Sequence, residues 1–163
     1  MNAPEKFYGK FRGKVLDNQD PMKRGRLKIK APDILGDQES GWATPCVPYA
    51  GKNVGLFLIP PVDALVWLEF EQGDLDCPIW SGCFWGENQV PESQGEPDVK
   101  VLKTGIGTIT INDKQGSAGI TIETSSGLKL VMDDQGIELS NSSQKIKLSS
   151  ANVSVNDGAL EVM

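Results

Sequence analysis

From residue 99 onward, apolar side chains come in pairs two residues apart, with turn residues between the pairs. The pairs are Ile109/Ile111, Ile120/Ile122, Leu128/Leu130, Ile137/Leu139, Ile146/Leu148, Val153/Val155 and Leu160/Val162, and their first members are 7 to 11 residues apart. A period of two belongs to a strand with one buried and one solvated face. Asn112-Asp113, Gly116, Gly119, Ser125-Ser126-Gly127, residues 133–136 and 141–143, Asn152 and Asn156-Asp157-Gly158 separate the pairs and are turn formers. The pattern predicts a quasi-repeat of one short strand and one turn. Before residue 99 the alternation is looser. Residues 7–16, 25–31, 55–59, 64–71 and 78–85 read as five strands, and 17–21 and 73–76 as turns. Within 25–31, Leu27 and Ile29 alternate with Arg26, Lys28 and Lys30. Within 64–71, Val66, Leu68 and Phe70 share one face; Leu65, Trp67, Glu69 and Glu71 share the other. Five short strands punctuated by Gly and Pro predict a small barrel, the OB-fold being one candidate. No stretch sustains a 3.6-residue period, so the chain is expected to be all-β.

Composition divides the chain at the same place. Every aromatic lies between Phe7 and Trp85 and every proline between Pro4 and Pro97. Beyond residue 98 there is no aromatic, proline or cysteine. The polar join reads as a linker, giving an expected barrel domain at 1–86, a linker at 87–98 and a repeat domain at 99–163. The apolar pairs of one chain offer little burial against the entropy of ordering the repeat. Three chains wound about an axis would give every strand a neighbour and remove exposed edges. A homotrimer follows, although a meander or a single-chain solenoid fits the same alternation. The expected trimer core is Ile109, Ile111, Ile120, Ile122, Leu128, Leu130, Ile137, Leu139, Ile146, Leu148, Val153 and Val155.

The chemistry available is narrow. The chain has no histidine, three cysteines and a net charge of −6. Without histidine the commonest general base and metal ligand are missing, and no catalytic, cofactor or metal site is expected. The acidic balance disfavours nucleic acid as a partner. Residues 1–14 hold no apolar core of a signal peptide, and no apolar run approaches membrane-spanning length, so assembly in the cytoplasm is expected. The basic run at residues 23–30 suits an OB-fold nucleic-acid face, but reads more simply as a solvated or docking strand. Glu69, Glu71, Asp74 and Asp76 suit a Ca²⁺ or acid/base site, but read more simply as strand and turn residues. Cys77 and Cys83 are expected to be small core or interface residues, and Trp67, Trp80 and Trp85 core or trimer contacts. Gly105-Ile106-Gly107 precedes a strand instead of a helix, which excludes a dinucleotide loop.

The order of landmarks in the first half resembles a known family. Val15-Leu-Asp-Asn-Gln-Asp-Pro21, Gly25-Arg-Leu-Lys-Ile-Lys30, Trp42-Ala43, Pro48-Tyr-Ala-Gly51, residues 55–60, residues 64–70 and Gly73-Asp-Leu-Asp-Cys-Pro78 with Ser81-Gly82 are similar to the OB-fold domain of contractile-phage baseplate spikes (baseplate assembly protein V) and of type VI valine–glycine repeat spikes. The second half resembles that family's intertwined triple-stranded β-helix needle. The resemblance implies a homotrimeric, non-enzymatic central spike that pierces the target envelope on sheath contraction. It implies a virion tail or extracellular contractile particle as location, a separate baseplate hub protein on the OB-fold side and transient contact with the target membrane. Some relatives carry a lysozyme insert or a histidine-ligated tip iron. The short linker and the lack of histidine carry over neither. A separate PAAR-like tip protein is therefore expected to dock near Leu160, Val162 and Met163. The alternative is an OB-fold module for nucleic acid or oligosaccharide with a trimerising β tail.

Overall fold

A computed structural model describes residues 5–91 and 96–162, in two compact units, residues 1–88 and 89–163. The first unit contains strands β1 (Phe11–Asp17), β2 (Lys28–Lys30), β3 (Thr44–Pro45), β4 (Ala50–Gly51), β5 (Val54–Gly55), β6 (Leu65–Phe70) and β7 (Pro78–Cys83), and one helical turn, α1 (Pro32–Leu35). Five strands form one sheet in the order β2-β1-β6-β7-β3, with β3 parallel to β7 and every other pair antiparallel. Its two ends meet: Leu27 and Ala43 exchange both backbone bonds, at 3.1 and 2.8 Å. That contact closes the sheet on itself. Register shifts at Val15/Asp17 and Val66/Leu68 supply the bends a small closed sheet needs.

The alternation read from the sequence sets the interior. Val66, Leu68 and Phe70 of β6 point inward and meet Val15 of β1, Leu27, Ile29, Ala31, Ala43 and Trp80. Each large aliphatic fully buried there stabilises by about 1.5–3 kcal/mol. Gly13 lets β1 cross this packing, since a Cβ there would lie 2.4 Å from Ile29 Cγ2. The expected strand at 55–59 is a correction. Only Val54–Gly55 is strand, paired with Ala50–Gly51 in a separate hairpin. Beyond Leu56 N, which donates to Tyr49 O, the segment runs unpaired into Pro60-Pro61, whose rings lack the N–H groups a ladder needs. α1 was not anticipated. Pro32 pre-sets its first turn and Ala31 O accepts from Ile34 and Leu35, but one turn is too short to show periodicity.

The second unit is a single sheet of eight antiparallel strands, each hydrogen-bonded to its neighbours in the sequence: β8 (Val99–Lys103), β9 (Gly107–Asn112), β10 (Gly119–Thr124), β11 (Lys129–Asp133), β12 (Gly136–Ser140), β13 (Lys145–Leu148), β14 (Val153–Val155) and β15 (Leu160–Val162). The apolar pairs marked seven of them. β8 was not marked: its apolar pair, Val99/Val101, lies on the opposite, largely polar face, and Leu102 shares its face with Lys100. The ladder partners of every interior strand come from within the chain, as in a meander, so backbone pairing is not what calls for further chains.

Candidate functional site

The register stacks one side chain from each strand into columns. Leu102, Ile109, Ile122, Leu130, Leu139, Ile146, Val155 and Leu160 are successive cross-strand partners from β8 to β15. Two residues away on the same face run Lys100, Ile111, Ile120, Met132, Ile137, Leu148, Val153 and Val162. Between these columns, side chains point the other way. There the partners are Val101, Thr110, Thr121, Val131, Glu138, Lys147, Ser154 and Glu161, a largely polar series. One face of the meander thus carries an aliphatic side chain on every strand, with Lys100 its one charged member, and the other face is largely polar and half-buried.

Among the described residues of the unit, none covers the aliphatic face. Its exposed members range from 37% accessible at Ile120 to 60% at Leu160. A contiguous apolar surface of this kind marks an association site. Its length and its medium-sized aliphatic side chains suit identical faces packed together, because without aromatics the shared interior is narrow. The turns are held by short polar side chains. Asn112 Oδ1 accepts from Lys114 N, Asp133 Oδ1 from Gln135 N, Asn141 Oδ1 from Ser143 N and Gln144 N, and Asn156 Oδ1 from Lys145 N, all at 2.8–3.0 Å. Lys145 also binds Asp157 at 2.6 Å, and that hydrogen bond pushes its pKa above the ordinary value. These bonds fix loop lengths, and loop lengths fix which residues stack.

Eleven of the twelve residues expected in the trimer core lie on these columns. Leu128 is the exception: it precedes β11, and the pair that β11 presents is Leu130/Met132. The run Leu128, Leu130, Met132 alternates throughout, so the sequence left the frame open by one pair. Leu102 was missed because β8 alternates it with Lys100 instead of an apolar residue. Leu160 and Val162 continue the same two columns; Met163 lies outside the described residues.

In the barrel unit the candidate chemistry resolves into structure. Asp20 is buried and receives Arg26 Nη2 at 2.6 Å, with further bonds from the backbone N–H groups of Met22, Arg24 and Arg26. The Arg26 guanidinium first, and then those amides, hold its carboxyl well below the usual carboxylate range. Lys28 pairs with Glu39. Arg26 and Lys28 also lie 5.6 and 5.8 Å from the centroid of Trp42, and Arg12 lies over both Trp67 and Phe84. The aromatic faces that would stack bases therefore already carry cations from the same chain. Glu69 pairs with Lys10 at 2.5 Å and Asp74 accepts from Asp76 N at 3.1 Å. Among the described residues no cluster of Cys, Asp and Glu could hold a metal ion. Trp80 is core, its indole N–H donating to Gly25 O at 3.0 Å. Trp67 stacks on Phe84 outside the barrel, and Trp85 is 65% exposed. Cys77 and Cys83, expected as core or interface residues, are both exposed in the single chain and so not core. Partial desolvation pushes the Cys83 thiol above its ordinary pKa, the opposite of activation.

Two family comparisons match the chain in consecutive segments. Residues 11–85 match the type VI secretion system/phage-baseplate injector OB domain. Residues 99–161 match the phage baseplate V C-terminal trimerisation domain. No curated protein matches the chain. Among the described residues no helix is long and apolar enough to cross a membrane.

Proposed function

This chain belongs to the phage baseplate V family of baseplate and type VI injector proteins, and from that premise we propose that it is the central spike that pierces the target envelope when a contractile sheath fires. Membership makes the chain a structural injector component with a trimerisation domain. The finer reading concerns what the trimer does. Its carrying observation is the aliphatic column running unbroken from Leu102 to Leu160, with a second beside it from Ile111 to Val162. Three such faces turned toward one axis form a dry core along a straight shaft, with polar faces outward. An axial load is then shared by every cross-strand bond and every layer of the core, and no layer is weaker than its neighbours by lacking an apolar side chain. The described strand edges at β8 and β15 are the natural docking ends, and Leu160 and Val162 on β15 suit a separate tip partner. The barrel unit engages a hub protein. The action is mechanical and non-enzymatic, and takes place in a virion tail or a related extracellular particle.

The test is deletion of the gene in a strain that makes contractile particles, with complementation by the wild-type chain or by Leu139→Asp. The expected result is particles that contract yet fail to kill or inject, restored by the wild-type chain alone. Particles that penetrate normally without the chain would sink the reading.

A further inference from the structure

The barrel unit carries a second uncovered apolar surface. Between the β4–β5 hairpin and Pro60, the chain passes through Leu56, Phe57 and Leu58 outside any strand, and Phe57 is 70% exposed. Ile59 is the anchor: it packs against the barrel core, and with Phe57 it closes over Gly25, where a Cβ would meet their side chains at 2.9 and 3.2 Å. The segment is thus held in place, not loose. Neither Phe57 nor Leu58 makes a hydrogen bond to any described residue. A continuous apolar run with unpaired backbone groups can receive another extended segment. The cavity of about 600 Å³ beside it is lined by Tyr49, Leu56 and Phe57, and its charged residues are Lys23 and Arg24, with no carboxylate, in a chain of net charge −6.

We propose that this strap, Leu56 to Leu58 with Lys23 and Arg24 at its side, receives an extended segment of a different protein that carries apolar residues flanked by Asp or Glu. The unpaired N–H and C=O of Phe57 give the incoming segment its hydrogen bonds, the apolar side chains give it area, and the two cations select acidic flanks. Two straps cannot pair with each other, because that would bring the Lys23 and Arg24 pairs together; in a three-fold assembly a neighbouring copy would have to meet the strap with a different patch, and a cross-link to that copy is the result that tells it from a different protein. The inference rests on the spike reading and specifies how the barrel holds its hub.

The test is made in assembled contractile particles. Phe57 is replaced by the photo-crosslinker p-benzoyl-phenylalanine, the particles are irradiated, and the joined peptides are identified by mass spectrometry. In parallel, Lys23→Glu with Arg24→Glu is followed by light scattering of the free trimer and by quantifying the chain in particles. The proposal expects cross-links to an acidic, apolar segment of one different protein, and at least a tenfold loss of incorporation with trimer mass unchanged. Cross-links confined to a second copy of this chain, cross-links to no protein, or normal incorporation of the charge-reversed chain each overturn it. Absence of the unmodified chain from the particles overturns the spike reading itself, and shows before any residue is changed.

Discussion

At the scale of single residues, the barrel depends on Asp20. Its carboxylate ties the loop between β1 and β2 to Arg26 and to three backbone amides. Because its folded pKa lies below the ordinary value of 3.8, the contribution is complete above that pH and is withdrawn as the pH falls below it. Thermal melts from pH 7 to pH 3 should show the wild type losing stability below about pH 4. Asp20→Asn should start lower and lack that share of the acid dependence; parallel curves would place the acid sensitivity elsewhere. Gly136 is the corresponding residue of the meander. Its φ is +129°, and a Cβ would lie 1.9 Å from Leu148 O. Gly136→Ala should destabilise by at least about 1–3 kcal/mol in denaturant titration, whereas Gly116→Ala meets nothing within 4 Å and bears only its own φ cost at +81°.

At the scale of elements, the two faces of the meander should respond differently. Ile122→Asp or Leu139→Asp places a carboxylate in the aliphatic column on each of three chains, at a cost of several kcal/mol per unpaired buried charge. The expected outcome is loss of the trimer in light scattering. Glu138→Ala, on the polar face between Val131 and Lys147, should change stability by no more than about 0.5 kcal/mol. Equal effects at both positions would mean that the aliphatic face is not the buried one. Met132→Asp should behave like Ile122→Asp and Leu128→Asp should be milder, since Met132 stands in the ladder and Leu128 outside it.

At the scale of the whole molecule, association and barrel folding are separable. The barrel has its own closed sheet and its own core, so a chain ending after Gly86 should keep a cooperative melt. It should lose most of its trimer, because the aliphatic columns belong to the second unit. The full chain should weigh three times 17.6 kDa in light scattering at micromolar concentration. A full-length monomer there, or a truncated barrel that trimerises as tightly as the full chain, would assign association to the wrong unit.

The sequence by itself determined which residues face inward. A period of two is local: it put Val66, Leu68 and Phe70 on one side of β6 and Ile120 with Ile122 on one side of β10 without any knowledge of neighbours. Composition likewise separated an aromatic, proline-rich unit from one with neither, and the order of landmarks carried the family. What only the tertiary structure decided was pairing. Whether Leu128/Leu130 or Leu130/Met132 enters the columns depends on turn geometry between strands, to which alternation is blind by a shift of two. Residues 55–59 look like a strand to their own side chains, yet pairing stops after Leu56 because the hairpin turns the chain away and Pro60-Pro61 offers no N–H. The strands of one chain pair in order as a meander, while the three-chain association stands on the match to the trimerisation domain. What remains to be covered is one aliphatic face, because backbone hydrogen bonds are satisfied by adjacent strands while the burial of a flat apolar surface requires another surface.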